Sequence, residues 1–266
     1  VLEAAARPGG QIVLAAALKR RREIIGVVDW RVRECERLGV AFRFNAFAGA
    51  DDVLGLDPDV VVIATGGAPN VEFLDSGGEL AVTSWDLLSG AARPSGEVIV
   101  YDDNGAHPGL SAAEYVADSG AKLEIVTPER MLAPDVGGTS YPPYFRAFSR
   151  ADAKVSLNLR LESIARRGNR VVGAFYDEYG RRRVEKEADM IVVEHGAVPV
   201  DDLYFELKAG SINRGEVDYD ALIAGRPQTV SSNPDGRYRL FRIGDAVASR
   251  NIHAAVYDAI RLMKDI

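Results

Sequence analysis

The strongest constraint on the fold is a short apolar run at residues 60–64, which lies between Pro58 and Gly66. The run consists mainly of the β-branched residues valine and isoleucine. Its short length and its flanking turn residues predict a β-strand rather than a buried helix segment. A strand that is apolar at every position is buried on both faces, as parallel strands between helices are. The run therefore predicts an α/β fold with a parallel sheet.

A second strand–helix–strand pattern begins near residue 97. Residues 97–101 predict a strand, residues 110–119 a helix that ends before Gly120, and residues 122–127 the following strand. A unit of about thirty residues with this order favours parallel pairing through a right-handed crossover. The restart of the pattern therefore predicts a second domain.

The segments after this unit have a different pattern. Apolar and polar residues alternate at residues 155–165, 171–177 and 184–187. This alternation, with turn residues between the segments, predicts an antiparallel meander. Residues 206–235 are rich in glycine, asparagine, aspartate and proline, and they predict a long irregular connection.

Composition excludes several classes of protein. The 266 residues carry 32 Lys plus Arg and 39 Asp plus Glu, a net charge of −7. We therefore expect neither nucleic acid nor an anionic membrane as a partner. The longest apolar run, residues 12–18, is far shorter than the ~20 residues of a spanning helix, and no signal peptide precedes it. Cys35 is the sole cysteine and the histidines are widely spaced, so we expect no metal site in this chain and a cytoplasmic location.

The first turn with features of a ligand-binding site lies near the start of the chain. Glu3 ends a predicted strand, and Gly9, Gly10 and Gln11 precede the predicted helix at residues 12–18. In a dinucleotide fold, an acid at the end of the second strand accepts hydrogen bonds from ribose hydroxyls. Glycines let the backbone approach a pyrophosphate, and a helix N-terminus suits an anion. An ordinary surface glutamate before an ordinary turn is the alternative.

Two more turns follow predicted strands. Ala64-Thr65-Gly66 follows the apolar run, where small residues let the chain turn beside a ligand. Gly244-Asp245 lies between a predicted strand at residues 240–243 and a predicted helix at residues 251–265. An aspartate just before a helix is normally an N-cap. The functional alternative is an acceptor for a ribityl hydroxyl, and one carboxylate has enough acceptor positions for both.

The order and spacing of these turns resemble a known family. The chain resembles the C-terminal half of the NADH:flavin oxidoreductases related to trimethylamine dehydrogenase, dimethylamine dehydrogenase and bacterial 2,4-dienoyl-CoA reductase. Within that family it looks most like a branch that includes demethylases of N-methylated amino acids. The resemblance covers essentially the whole chain. It is carried by Glu3, Gly9-Gly10-Gln11, Ala64-Thr65-Gly66 and residues 102–114, 193–202 and 244–251.

The resemblance implies that different domains of the intact protein hold different cofactors. An N-terminal (β/α)8 barrel would hold FMN and the substrate, and a cysteine-rich segment would hold a 4Fe–4S cluster. Two dinucleotide-type domains would follow, one with FAD or ADP and one similar to an NAD(P)H domain. The chain would then be a fragment without catalytic residues for the oxidation. The glycine-rich first strand of its first nucleotide domain would precede Val1 and be missing.

The expected fold is therefore α/β, with two Rossmann-like, doubly wound, three-layer nucleotide-binding domains and an antiparallel meander. The second domain would be inserted in the first. Residues 1–90 and 206–266 would form the FAD/ADP-binding domain, incomplete at its N-terminus, and residues 91–205 the NAD(P)-like domain. The expected cofactor-binding residues are Glu3, Arg7, Gly9, Gly10, Gln11, Ala64, Thr65, Gly66, Gly244 and Asp245.

The turn of the second domain departs from the G-x-G-x-x-G pattern of dinucleotide sites. It carries Asp102, Asp103 and Pro108. A carboxylate close to a pyrophosphate costs roughly 1–4 kcal/mol per charge pair at ~4 Å, and proline removes an N–H donor. We therefore expect this domain to bind NAD(P)H poorly or not at all.

Other charged residues have a structural and a functional interpretation. Glu194-His195 resembles a catalytic pair, but neighbours on a strand point to opposite faces, which favours a structural histidine. His107 would either contact a ligand phosphate or fill its turn. The basic residues 20–22 are expected to be solvated, with docking of an acidic electron-transfer partner as the alternative.

The sequence therefore predicts the nucleotide-binding part of an iron–sulfur flavin oxidoreductase acting on N-methylated amines or amino acids. Such a part is expected to be inactive alone. A non-catalytic ADP-binding assembly module and an NAD(P)H-dependent enoyl-thioester reductase are the alternatives. The expected partners are the missing barrel, an electron-transfer flavoprotein and further copies of the same chain.

Overall fold

The computed structural model describes residues 1–264. The strands are β1 (Val60–Ile63), β2 (Gly67–Pro69), β3 (Val82–Thr83), β4 (Glu97–Asp102), β5 (Lys122–Val126), β6 (Lys154–Ser156), β7 (Leu159–Arg167), β8 (Arg170–Asp177), β9 (Arg182–Ala188), β10 (Met190–Glu194), β11 (Ala197–Pro199) and β12 (Arg239–Arg242). The predicted α/β class is confirmed, with both parallel and antiparallel strands.

The helices connect and flank these strands. They are α1 (Gln11–Ala15), α2 (Gly26–Arg37), α3 (Ala50–Leu54), α4 (Ser84–Ser89), α5 (His107–Ser119), α6 (Tyr141–Arg150), α7 (Asp202–Lys208), α8 (Tyr219–Ala224) and α9 (Ile252–Met263). Short 3₁₀ helices span Lys19–Ile25, Gly78–Leu80 and Gly244–Ala246. Within the described part of the chain, none of the helices has the length and apolar character needed to cross a membrane.

The chain forms two compact units. The first unit contains residues 1–10, 26–68 and those from Ala197 onward, and the second contains residues 11–25 and 69–196. β2 and β11 pair with each other where the chain leaves and re-enters the first unit. These limits differ from the predicted limits at residues 90 and 206, since β3 pairs with β10 inside the second unit. The assignment of the two segments as nucleotide domains stays a prediction.

The second unit is built on a parallel sheet with strand order β3-β10-β4-β5-β6. β4, α5 and β5 confirm the predicted strand–helix–strand unit. Alternate side chains of β4 enter different apolar clusters. Val100 packs in the cluster that contains Leu110 of α5, whereas Ile99 and Tyr101 pack in the cluster that contains Phe175 of β8. Helices thus cover one face and the meander the other, instead of the predicted helices on both faces.

The antiparallel meander is confirmed, with a correction at its start. β7, β8 and β9 pair antiparallel in chain order. The predicted first strand at residues 155–165 is divided, because β6 joins the parallel sheet beside β5 and β7 begins only at Leu159. Asn158 separates them with a left-handed φ of 61°.

Residues 11–25 belong to the second unit, which corrects the prediction that places them in the first domain with a helix at residues 12–18. Only α1 is α-helical, and a 3₁₀ helix follows. Leu18 is 3% exposed and packs in the core of the second unit. Arg20 makes a paired hydrogen bond to the Glu114 carboxylate at 2.5–2.9 Å. Because Glu114 is buried, this charged pair ties the segment to α5.

The first unit contains a smaller parallel arrangement. β1 pairs with β12, with Val60 opposite Arg239 and Ile63 opposite Arg242. Near the chain start, Leu2 forms an isolated parallel bridge with Arg43. Among residues 1–264, no strand joins this bridge to the β1–β12 pair. A complete Rossmann sheet is therefore not observed in this unit, and the predicted missing strand stays a prediction.

The segment predicted to be irregular, residues 206–235, contains regular structure. α7 ends and α8 lies within it. α8 forms because the Asp218 side chain caps it by accepting from the Ala221 N–H at 2.9 Å. The strand at residues 240–243 and the helix from residue 251 are confirmed as β12 and α9, although the predicted helix end at Asp265 lies outside the described residues.

Candidate functional site

The carboxyl ends of β1 and β12 lie side by side. The parallel register places Ile63 opposite Arg242, so the turns that contain Thr65 and Asp245 leave the same end of the strand pair. Thr65 is exposed, and Gly66 has a φ of +76°. In open α/β sheets, ligands bind at this end of the strands. The structure thus brings together five of the predicted residues, Ala64, Thr65, Gly66, Gly244 and Asp245.

These two turns are held by contacts within the first unit. The Thr65 hydroxyl donates to the Val200 carbonyl, and the Val200 N–H donates to the Gly66 carbonyl at 3.0 Å. The Gly244 N–H donates to Asp258 of α9 at 3.0 Å. Thr65 therefore uses its hydroxyl proton inside the protein, and the turn offers a ligand its backbone and the hydroxyl oxygen as an acceptor.

Asp245 does not cap the long helix that follows it. It lies in the 3₁₀ helix Gly244–Ala246 and accepts the Arg250 N–H at 3.2 Å. The N-cap of α9 is Asn251, whose side chain accepts the Ala254 N–H at 2.9 Å. The predicted N-cap alternative for Asp245 is therefore wrong, because the chain needs several more residues to reach the helix.

The second group of predicted residues lies on the Leu2–Arg43 strand pair. The Glu3 N–H donates to the Arg43 carbonyl at 2.9 Å, and the Glu3 carboxylate accepts the Ala5 N–H at 2.9 Å. Gly9 and Gly10 have φ values of +131° and +46°. A Cβ at Gly10 would meet no atom within 4 Å. Both glycines therefore give the backbone positive φ values, and Gly10 lies beside open space.

Arg7 lines a cavity of about 390 Å³ beside α2. Ligand pockets begin at about this size. Val28 and Val32 give the cavity an apolar part. Its charged residues on α2 are Asp29, Arg33 and Glu36. The sequence analysis missed these three, although their spacing of four and three residues places them on one helix face.

Gln11 is assigned to a different unit from the other predicted residues. It begins α1 and belongs to the second unit, whereas the other nine belong to the first. Within the first unit, the Glu3 group and the Thr65 group are not joined by a strand among the described residues. The predicted residues of the first unit therefore form two groups, and their role as cofactor-binding residues stays a prediction.

The turn after β4 in the second unit is closed by its own side chains. The Asp102 carboxylate accepts the N–H groups of Asn104 and Gly105, each at 3.1 Å. Asp102 is only 2% exposed. Burial, followed by the neighbouring Glu194 carboxylate, raises the pKa of Asp102 to about 7. Burial also raises the pKa of Glu194, which accepts from Ser84, Asn104 and the Gly196 N–H.

His195 pairs with Asp103 rather than with Glu194. Its Nδ1 lies 2.6 Å from the Asp103 carboxylate. The Tyr101 hydroxyl donates to the other oxygen of Asp103 at 3.1 Å, and the Phe73 ring stacks on His195 at 4.0 Å. The catalytic Glu194–His195 pair is therefore wrong, because the two side chains have different partners. The satisfied histidine agrees with the structural interpretation.

His107, Arg20 and Arg21 form internal contacts. His107 Nδ1 lies 2.9 Å from Arg21 Nη1 and 3.0 Å from the Tyr144 hydroxyl. Burial, followed by Arg21 and Arg20, lowers the pKa of His107. His107 thus fills its turn. The prediction of a solvated basic face is wrong for Arg21, which is half-buried, whereas Arg20 is exposed although it pairs with Glu114. Groups of three or more potential metal ligands are absent from the part of the chain that the structure describes.

Comparison with known proteins gives relatives along the whole chain. No family model matches. The chain is 49% identical over 266 residues to a probable N-methylproline demethylase of Rhizobium meliloti (strain 1021), covering 100% of this chain and 39% of that protein. It is 40% identical to an N,N-dimethylglycine/sarcosine dehydrogenase of Chromohalobacter salexigens, covering 100% of this chain and 40% of that protein. The predicted family resemblance is confirmed. The chain thus spans about two fifths of the length of these relatives.

Solved structures share the fold. The histamine dehydrogenase of Rhizobium sp. 4-9 matches with a TM-score of 0.78 at 22% identity, over 98% of this chain and 39% of that chain. A 2-naphthoyl-CoA reductase bound to 2-naphthoyl-CoA matches with the same TM-score of 0.78 at 22% identity, over 100% of this chain and 36% of that chain. At this identity the similarity establishes the fold alone.

Proposed function

We propose that the chain is the nucleotide-binding part of a flavin-dependent oxidoreductase that acts on N-methylated amines or amino acids. The observation that carries this proposal is the sequence similarity of the entire chain to a demethylase of N-methylproline and a dehydrogenase of dimethylglycine, at 49% and 40% identity. Because the similarity extends over every element of both units, we infer that the intact protein shares the activity of these relatives.

The first unit is proposed to hold an adenine nucleotide, either as FAD or as ADP. Several of its features fit such a group. Glu3 offers a carboxylate to ribose hydroxyls, as acids at the end of the second strand do in dinucleotide folds. Gly10 and Gly66 have positive φ and open space where a Cβ would be, so the backbone can lie against a pyrophosphate. Asp245 would bind the ribityl chain if FAD is present. A bound flavin supplies electron transfer, whereas ADP supplies none.

The chemistry of substrate oxidation is proposed to lie outside this chain. The part of the chain that the structure describes holds one cysteine, Cys35, and offers no group of metal ligands. FMN, a 4Fe–4S cluster and the substrate site would therefore belong to a barrel that is not included here. An electron-transfer flavoprotein and further copies of the chain are the proposed partners, and a cytoplasmic location is part of the same proposal.

A scaffold that binds only ADP is the second candidate. It is favoured by one observation, the commitment of the Thr65 hydroxyl to the Val200 carbonyl. That contact uses the only hydrogen-bond donor of the Thr65 side chain, so its hydroxyl can offer a ligand only acceptor positions.

The test is to denature the purified full-length protein, with its barrel present, and to identify the nucleotides that it releases. FAD together with FMN would support an electron-carrying first unit. ADP with FMN would support the scaffold. Release of FMN without any adenine nucleotide would contradict the nucleotide-binding proposal for the first unit.

A further inference from the structure

The turn between β4 and α5 has the geometry of a phosphate site. A turn from a parallel strand into a helix places backbone N–H groups and the positive end of the helix dipole at one point. In dinucleotide folds the pyrophosphate lies there, and a glycine in the first turn of the helix lets the helix approach. α5 is 13 residues long, and its N-cap, Ala106, has no side chain that can cap it.

In this protein a carboxylate already lies at that point. Asp102 ends β4, and its Oδ1 accepts the N–H groups of Asn104 and Gly105 at 3.1 Å each. Two successive backbone donors of the turn are therefore used by an internal carboxyl oxygen. Asp102 is 2% exposed, so the carboxylate is a buried part of the turn rather than a mobile surface group.

Gly109 shows how closely the carboxylate fits. A Cβ built on this residue of α5 would lie 2.2 Å from Asp102 Cγ and 2.4 and 2.6 Å from its carboxylate oxygens. No real Cβ makes such contacts. The glycine in the first turn of α5 therefore makes room for the Asp102 carboxyl group, at a position where dinucleotide folds use a glycine for close packing of the helix on the strand.

A second acid, Glu194, occupies further hydrogen-bond donors at the end of the sheet. Glu194 ends β10, which pairs with β4 so that Glu194 lies opposite Asp102. Glu194 accepts the Asn104 side-chain amide at 2.9 Å and the Gly196 N–H at 3.1 Å. A ligand phosphate at this end of the sheet would find these donors occupied by the two acidic side chains.

We propose that Asp102 is a built-in substitute for a dinucleotide phosphate and makes the second unit reject NAD(P)H. This deepens the proposed function, because it assigns nucleotide binding to the first unit alone. Two residues determine this specificity. Asp102 occupies the backbone donors, and Gly109 has no Cβ and so leaves room for the Asp102 carboxyl group.

The binding test uses the protein as purified, with the nucleotide of the first unit retained. NADH is titrated by calorimetry into the natural protein, Asp102→Gly and the control Asp118→Gly. Asp118 is an exposed acid near the other end of α5, so the control removes the same charge from the same strand–helix unit. We expect Asp102→Gly to bind NADH at least about tenfold more tightly than the other two. Equal affinity of all three proteins, or tight binding by the natural protein, would overturn the proposal.

A second measurement tests the contact itself and needs no ligand. Gly109→Ala should lower the midpoint of thermal unfolding by about 5 °C or more in the natural protein. In the Asp102→Gly background the same change should cost much less, because the carboxylate that it collides with is absent. If Gly109→Ala lowers the midpoint of thermal unfolding equally in both backgrounds, the glycine is not needed to make room for Asp102. Release of the first unit's nucleotide is a separate readout, so failure of either proposal is recognised independently.

Discussion

The turn after β1 in the first unit and the turn after β4 in the second follow parallel strands but differ in what surrounds their glycines. An added Cβ at Gly66 meets nothing within 4 Å, whereas one at Gly109 lies 2.2 Å from Asp102. Open space beside a glycine is compatible with a ligand. A glycine whose space is filled by its own chain serves internal packing, although the two cases look alike in sequence.

The largest expected effect concerns the buried acid of the closed turn. The pKa of Asp102 is raised to about 7 by burial and then by Glu194, compared with about 3.9 in an unfolded chain. Between these values the folded protein keeps a proton that the unfolded chain has released. Stability should therefore fall as pH rises from about 4 to about 7, by about 1.4 kcal/mol for each unit of raised pKa.

Unfolding by denaturant at several pH values checks this prediction. Asp102→Asn should flatten the pH dependence over that window, while Asp118→Asn should keep it. Glu194 contributes in the same direction, and Asp103 and Tyr141 also interact electrostatically with Asp102. A variant with the natural pH profile would show that Asp102 is not held as a buried acid.

The next effect compares the glycines of the two turns. Gly109→Ala should destabilise the protein by about 3 kcal/mol, since the new methyl group overlaps the Asp102 carboxylate. Gly66→Ala should cost only about 1 kcal/mol, because its positive φ is strained for alanine but its surroundings are open. Thermal or denaturant unfolding measures both. A larger loss of stability for Gly66→Ala than for Gly109→Ala would show that the turn after β1 is not the more open of the two.

A smaller effect is expected on ligand retention in the first unit. Glu3→Ala should weaken retention of the adenine nucleotide about tenfold, since a carboxylate acceptor for ribose hydroxyls is lost. The exposed Glu206 of α7, changed to alanine, is the matched control in the same unit. Nucleotide content per protein after gel filtration is the measurement. Equal content in both variants would remove Glu3 from the proposed site.

The smallest effect concerns Thr65. Its hydroxyl donates to the Val200 carbonyl, so Thr65→Val should lower stability by about 1 kcal/mol or less. The nucleotide content should be unchanged, because the hydroxyl serves the protein rather than the ligand. A loss of nucleotide with unchanged stability would restore Thr65 as a ligand-binding residue.

The sequence supports some elements better than others for a physical reason. β1, β4, α5 and β5 were predictable because apolar runs and helix-ending glycines are local signals. α8 was missed because its formation depends on the Asp218 cap within a segment rich in turn residues. At the candidate site, Glu3 and the glycine turns were recognisable from order and spacing, whereas the cavity beside Arg7 depends on α2.

What the sequence by itself determined is the α/β class, the parallel strand–helix–strand unit, the meander and the family resemblance, because each depends on patterns within short segments or on their order. Only the tertiary structure decided that residues 11–25 join the second unit, through Arg20 and Glu114, which are 94 residues apart. It also decided that Glu194 lies beside Asp102 and that His195 pairs with Asp103, 92 residues away. Such pairings depend on which strands become neighbours, and no local pattern specifies that.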